Sequence, residues 1–214
     1  MNIQLALDRM TVEEAIQMAS TVKDSIDWIE VGTSLIKEFG VSSVAQLKAA
    51  FPNKVIVADV KTIDNAVYEL DMCFRAGADV ATVMGVAPLV TIEKSLEVAS
   101  KWNKEIMIDL LNTSAQIQEK LVTYDAIFCS HVSKDEQEHS DGQASVAQGH
   151  AAILGSGRKL AVAGGITLES MKGMQGLNPY VVIVGSAITK ADDPAASAQK
   201  FHSLASGRES NGKN

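Results

Sequence analysis

The chain has 214 residues, 46% of them hydrophobic and 21% charged, and a formal net charge of −7. That length suits one domain with a sizeable core, and the acidic balance argues against a nucleic-acid binder, whose phosphate contacts need a basic face. Two cysteines, Cys73 and Cys129, form no CxxC pair and read as core residues of a reducing compartment; with no signal-peptide pattern and no apolar run of transmembrane length, a cytoplasmic protein without membrane contact is expected.

Residues 3–8 are a short apolar strand ending in Asp8. Thr11 with Glu14 three residues on is a capping box for a helix to Val22. Residues 28–33 form a second strand carrying Glu30, and 34–50 a helix with a candidate break at Gly40. The stretch over residues 55–64 reads Val-Ile-Val-Ala-Asp-Val-Lys-Thr-Ile-Asp, and its apolar run, ending abruptly in charged residues, is the third strand. An apolar β-branched run of this kind is buried on both faces in parallel sheets. Alternate side chains share a face, so Asp59 and Lys61 point the same way. A carboxylate and an ammonium there must pair or bind something.

Helix 62–76 follows, ended by Gly77, then strand 79–86 and helix 89–102 with Pro88 in its first turn. Strand 105–111 carries Asp109, and helix 113–122 leads to strand 125–132, which carries His131. A polar loop over 133–142 precedes a helix over 143–154. Strand 159–165 ends in Gly164 and Gly165, and a short helix starts near Thr167. Strand 180–185 ends in Gly185 and runs into Ser186, and a last helix covers 194–205. Residues 1–206 are expected to form the domain and 207–214 a polar tail.

Eight strand–helix units with short connections imply a parallel sheet with right-handed crossovers. In this length they fit an α/β fold, a compact single-domain (β/α)8 TIM barrel. The competing open doubly wound sheet lacks its Gly-rich loop after the first strand, where Asp8, Arg9 and Met10 stand instead. In a barrel the strand C-terminal ends hold the chemistry, and here nearly every one delivers a polar or glycine residue.

Asp8, Glu30, Asp59 and Asp109 would converge, and their repulsion calls for a cation. Lys61 supplies one charge; Mg2+ would supply more, with Glu30 and Asp59 as the ligand pair. The bland readings are a helix N-terminal anion for Asp8 and a loop hydrogen bond for Asp109. Gly164, Gly165, Gly185 and Ser186 suit a backbone phosphate site, or plain turns. His131 suits acid–base work at the barrel mouth, though a lone histidine is often structural. Lys134, Asp135 and His139 fit a solvated loop as well as a catalytic one. His150 and His202 read as surface residues.

Together, Ala-Leu-Asp8, Ile-Glu30-Val-Gly-Thr, Ala-Asp59-Val-Lys61-Thr-Ile-Asp64, Asp109, His131, Ala-Gly-Gly and Ile-Val-Gly-Ser-Ala-Ile-Thr resemble a known group. It comprises the 3-hexulose-6-phosphate synthases and 3-keto-L-gulonate-6-phosphate decarboxylases, within the orotidine 5′-monophosphate decarboxylase suprafamily. The resemblance implies a Mg2+-dependent lyase acting on a phosphorylated ketose, ribulose 5-phosphate or 3-keto-L-gulonate 6-phosphate. It implies a homodimer in which Asp64 reaches the neighbouring site. Glu30 and Asp59 match its metal-associated acids, Lys61 the lysine beside the enediolate, and His131 its proton-shuttling histidine. Gly165, Gly185 and Ser186 match its phosphate grip. Asp109, Ala163 and Ser186 stand where the decarboxylases usually have Glu, Thr and Arg, which favours the synthase. Lys134 stands where the decarboxylases place an Arg, which keeps that activity as the alternative. A barrel that binds a sugar phosphate without turning it over is a further alternative, opposed by the intact Asp59, Lys61, Asp64 and His131 set.

Overall fold

The computed structural model describes residues 1–133, 135, 153 and 155–207. Most of the expected loop over 133–142 and of the helix over 143–154, with Lys134, His139, His150 and all of the tail beyond Gly207, lie outside them. The described elements run β1 (Asn2–Leu7), α1 (Val12–Val22), β2 (Trp28–Val31), α2 (Thr33–Phe39), α3 (Ser42–Ala50), β3 (Val55–Thr62), α4 (Ala66–Arg75), β4 (Val80–Met84), α5 (Leu89–Trp102), β5 (Glu105–Asp109), α6 (Ala115–Leu121) and β6 (Ile127–His131). They continue with β7 (Lys159–Ala163), α7 (Leu168–Gly173), β8 (Val181–Val184), α8 (Ser186–Thr189) and α9 (Pro194–Ala205). Every strand pairs in parallel with its neighbours in sequence, and β8 closes on β1, giving the expected eight-stranded barrel. Among the described residues no helix is long and apolar enough to cross a membrane.

The period-2 alternation of the strands divides the core in two. Ile29, Val31, Ile56, Ala58, Ile106 and Ile108 face outward and join the layer under the helices. Trp28, Val57, Val80, Met107, Ile127 and Ala161 face inward and fill the barrel. Trp28 and Tyr180 meet edge to face at 5.8 Å, beside the β3 and β8 starts.

Local signals explain several element ends. Thr11 and Glu14 form the expected capping box. Gly40, at φ 65°, ends α2 and splits the expected helix over 34–50 in two. The helix expected from residue 62 begins only at Ala66. Thr62 still pairs with β4, and Asn65 sits left-handed as the N-cap. Pro88 is the N-cap of α5 rather than part of its first turn. His202 is half-buried with a buried Nδ1, not a surface residue.

Candidate functional site

The inward parity continues to the C-terminal end of each strand, and there it changes from apolar to polar. It delivers Glu30 after Trp28, Asp59 after Val57, Thr82 after Val80, Asp109 after Met107 and His131 after Cys129. Glu30, Asp59, Thr82 and Asp109 are buried. Four polar side chains of this layer, Asp59, Lys61, Asp109 and His131, form a continuous chain. Lys61 Nζ donates to Asp59 Oδ1 at 3.0 Å and to Asp109 Oδ2 at 2.9 Å. His131 Nδ1 lies 2.8 Å from that same Asp109 oxygen. The other Asp109 oxygen accepts from Leu111 N at 2.9 Å, so the loop hydrogen bond considered for it is real and accompanies its place in the cluster.

Asp59 and Lys61 do not share a face through regular alternation. From Ala58 to Thr62 the β3 chain advances four positions while β4 advances two, from Ala81 to Val83. The surplus is taken up by a bulge in which Lys61 adopts φ 50°. A left-handed lysine costs about 1–2 kcal/mol and persists only where its surroundings enforce it. Here Lys61 N donates to Thr82 Oγ1 at 2.8 Å, and Thr82 Oγ1 donates to Asp59 Oδ1 at 3.0 Å. Thr33 Oγ1 lies 2.6 Å from Asp59 Oδ2 and 2.9 Å from the Asp59 carbonyl oxygen.

The charges set each other's protonation. Burial alone would raise the Asp109 carboxyl, but the hydrogen bond from His131 and the Lys61 ammonium outweigh it and hold the group well below the usual carboxylate range. Burial likewise works against the Lys61 ammonium, yet Asp59 and Asp109 hold the amine above its ordinary value. Glu30 has less support. Burial first and the Asp59 charge second push its carboxyl up to about 8, against Lys61 and a 2.5 Å hydrogen bond from Gln4 Nε2.

At the rim, Asp8 is exposed and accepts from Ser34 N at 3.2 Å and Ser34 Oγ at 2.8 Å. It is therefore an N-terminal anion for α2, as one of its readings had it. Gly32 makes that approach possible: a Cβ there would stand 2.3 Å from Asp8 Oδ1. Gly164 and Gly165 have φ 98° and 63°, and a Cβ on Gly164 would stand 2.4 Å from the Val132 carbonyl oxygen. Gly164 is thus required by packing against the end of β6, whereas Gly165 is exposed. Gly185 and the exposed Ser186 follow β8, beside β7. Asp64 lies outside the cluster, exposed, with Oδ1 accepting from Asn65 N at 2.7 Å.

The sequence profile of the orotidine 5′-phosphate decarboxylase / HUMPS family matches residues 1–201. The chain belongs to this family. A 3-hexulose-6-phosphate synthase of Bacillus subtilis (strain 168) is 35% identical over 210 residues, 95% of this chain and 98% of that protein. The crystal structure of a 3-hexulose-6-phosphate synthase from Salmonella typhimurium superposes with a TM-score of 0.91 at 33% identity, covering 98% of this chain and 100% of that one. A 3-keto-L-gulonate-6-phosphate decarboxylase from Vibrio cholerae superposes with a TM-score of 0.86 at 29% identity, covering 97% of this chain and 98% of that one. This member of the orotidine 5′-phosphate decarboxylase / HUMPS family is accordingly an enzyme of the lyase class.

The metal that the family resemblance implies can be weighed against these residues. Among the described residues no group of three or more His, Cys, Asp or Glu side chains is arranged to hold an ion. Mg2+ does not need one: it takes one or two carboxylates and completes an octahedron with water and substrate oxygens. Glu30 and Asp59 offer an all-oxygen pair, and their mutual repulsion is what a divalent cation relieves. The Gln4 Oε1 beside them is buried without a hydrogen-bond partner. The residues fit the ion.

Gln4, Thr33, Ser34 and Thr82 were missed by sequence reasoning. Gln4 and Thr82 each carried a signal, a polar residue at inward parity within an apolar strand. Thr33 and Ser34 look in sequence like ordinary helix-start residues.

Proposed function

We propose that the protein is a 3-hexulose-6-phosphate synthase, which condenses formaldehyde with D-ribulose 5-phosphate and depends on Mg2+. The observation that carries this reading is the chain Asp59–Lys61–Asp109–His131, a fixed cation and a carboxylate-oriented imidazole side by side at the barrel mouth. The full-length likeness to the synthases supports it, as does the short side chain at Asp109, which reaches Lys61 and His131 with one oxygen.

In this reading a proton leaves C1 of ribulose 5-phosphate, next to the ketone, and an enediolate forms. Lys61, kept protonated by two carboxylates, acts as a fixed positive charge for the developing oxyanion and not as the base. Asp109 is ionised and can only accept, so His131 Nδ1 carries the proton between them. His131 Nε2 is then the ring atom that takes or returns a proton. Bound at Glu30 and Asp59, Mg2+ would supply Lewis-acid stabilisation of the same oxyanion. The enediolate carbon forms the new bond to formaldehyde, whose oxygen is protonated. Gly165, Gly185, Ser186 and Asp8 bind the substrate, with the backbone after β7 and β8 taking the phosphate. Lys134 is assigned to the substrate as well.

The working unit is a homodimer, with Asp64 contributed to the second site. Asp64 is exposed beside Ile63, Val67 and Tyr68, which are 54%, 52% and 67% exposed. Contiguous apolar side chains of this kind suit burial by a second copy. The likeness to the Vibrio cholerae decarboxylase favours one other reading, decarboxylation of 3-keto-L-gulonate 6-phosphate through an enediolate of the same kind. An assay of both substrates, with and without EDTA, separates them. Turnover of ribulose 5-phosphate plus formaldehyde, lost in EDTA and restored by Mg2+, is expected. Faster CO2 release from the gulonate ester would favour the second reading; activity indifferent to EDTA would remove the metal.

A further inference from the structure

We infer that Thr82 on β4 is the positioning residue that holds Lys61 and Asp59 in their working geometry; this rests on the part given to Lys61 above. Thr82 stands opposite the β3 bulge, between Ala81 and Val83, the positions where the β3–β4 register shifts. Its hydroxyl has one proton and two neighbours. The Lys61 backbone N–H can only donate, so the Thr82 oxygen accepts there at 2.8 Å. Its own proton therefore goes to Asp59 Oδ1 at 3.0 Å, the carboxylate oxygen that also receives Lys61 Nζ at 3.0 Å.

The result is a closed ring: Lys61 backbone to Thr82, Thr82 to Asp59, and Asp59 back to the ammonium of Lys61. It ties the left-handed backbone of the lysine to the direction of its side chain. Thr82 is only 4% exposed, so bulk water does not replace the hydroxyl when it is lost. Thr33 grips the other Asp59 oxygen, so loss of the Thr82 hydroxyl should turn the carboxylate about that anchor rather than free it. The ammonium would turn with it. A displacement of about 1 Å at a reacting group costs on the order of a hundredfold in rate.

The test compares Thr82→Val, which keeps the shape and removes the hydroxyl, with Thr82→Ser, which keeps the hydroxyl. With ribulose 5-phosphate and formaldehyde, Thr82→Val is expected to lower kcat about 10–100-fold while KM for the sugar phosphate stays within about threefold. Thr82→Ser should keep kcat within about threefold of the parent. A crystal structure of Thr82→Val should show Lys61 out of the left-handed region or its Nζ parted from Asp109. If Thr82→Val does not fold, Thr82→Cys takes its place with the same expectations. The inference is overturned by an undiminished kcat, by a loss confined to KM, by a loss that serine does not rescue, or by an unmoved Lys61 in the crystal. If the parent enzyme turns over neither sugar phosphate, the functional reading fails, and the crystal structure alone decides for or against Thr82.

Discussion

Two ends of the barrel use the same materials to opposite effect. At the N-terminal end Asp79 meets Lys48 at 2.8 Å and Lys104 at 2.6 Å, and accepts from Ile56 N at 2.9 Å. One carboxylate has two cations and a backbone donor. At the C-terminal end Lys61 is, among the described residues, the one lysine facing Asp59, Asp109 and the nearby Glu30, in a left-handed bulge. Acids outnumber lysines among the described residues there, one carboxyl is pushed up to about 8, and the backbone is strained. An overcompensated acid stabilises the fold. An undercompensated set stores an unmet demand for positive charge, which a substrate or metal can satisfy.

Substitutions at both ends sharpen that contrast. Lys61→Ala should lower kcat by about 10³-fold or more, the scale expected for losing a preorganised oxyanion donor, while the melting midpoint moves by no more than a few degrees. Asp109→Asn should lower kcat by about 10²–10³-fold, because a neutral amide neither holds the ammonium nor fixes the His131 tautomer. Steady-state kinetics and thermal melts on the same preparations check both.

Asp79→Asn should do the reverse, costing about 2 kcal/mol of stability, or about 5 °C, with kcat unchanged. Its pH dependence has a definite sign. Burial would raise the Asp79 carboxyl, but the hydrogen bonds from Lys104 and Lys48 outweigh it and lower the folded-state value. A depressed carboxyl contributes stability above its unfolded pKa of about 3.9 and loses it as pH falls through the folded value. The stability gap between the parent and Asp79→Asn should therefore be constant above about pH 5 and shrink in acid. Denaturant titrations across that range would read it. The smallest effect is expected for Lys159→Ala, which removes a half-exposed pair with Glu105 and a cation–π contact to Tyr180 at 5.1 Å. It should cost less than about 1 kcal/mol.

The strand alternation made the barrel and most of its polar mouth legible. Val57 and Asp59, Met107 and Asp109, and Cys129 and His131 keep the inward parity that the sequence displays. What period alone could not reveal is the bulge. Asp59 and Lys61 are two apart in sequence, which suggests a flat strand, and only pairing with β4 exposes the surplus residues. Thr82 escaped notice for the same reason, since its partner is a backbone N–H whose position depends on that bulge. The partners of Asp8 were equally hidden, since the hydroxyl and N–H that engage it come from Ser34, a strand and a turn away. The four-residue α8 is too short for any helical period to register.

The central claim is that the C-terminal cluster makes an enediolate from a sugar phosphate, and proton exchange tests it most directly. Ribulose 5-phosphate is incubated with the Mg2+-loaded enzyme in D2O, without formaldehyde, and the C1 protons are followed by NMR. C1 deuteration by the parent enzyme is expected, absent in Lys61→Ala and intact in Asp79→Asn. No exchange by the parent, or equal exchange by Lys61→Ala, would contradict it.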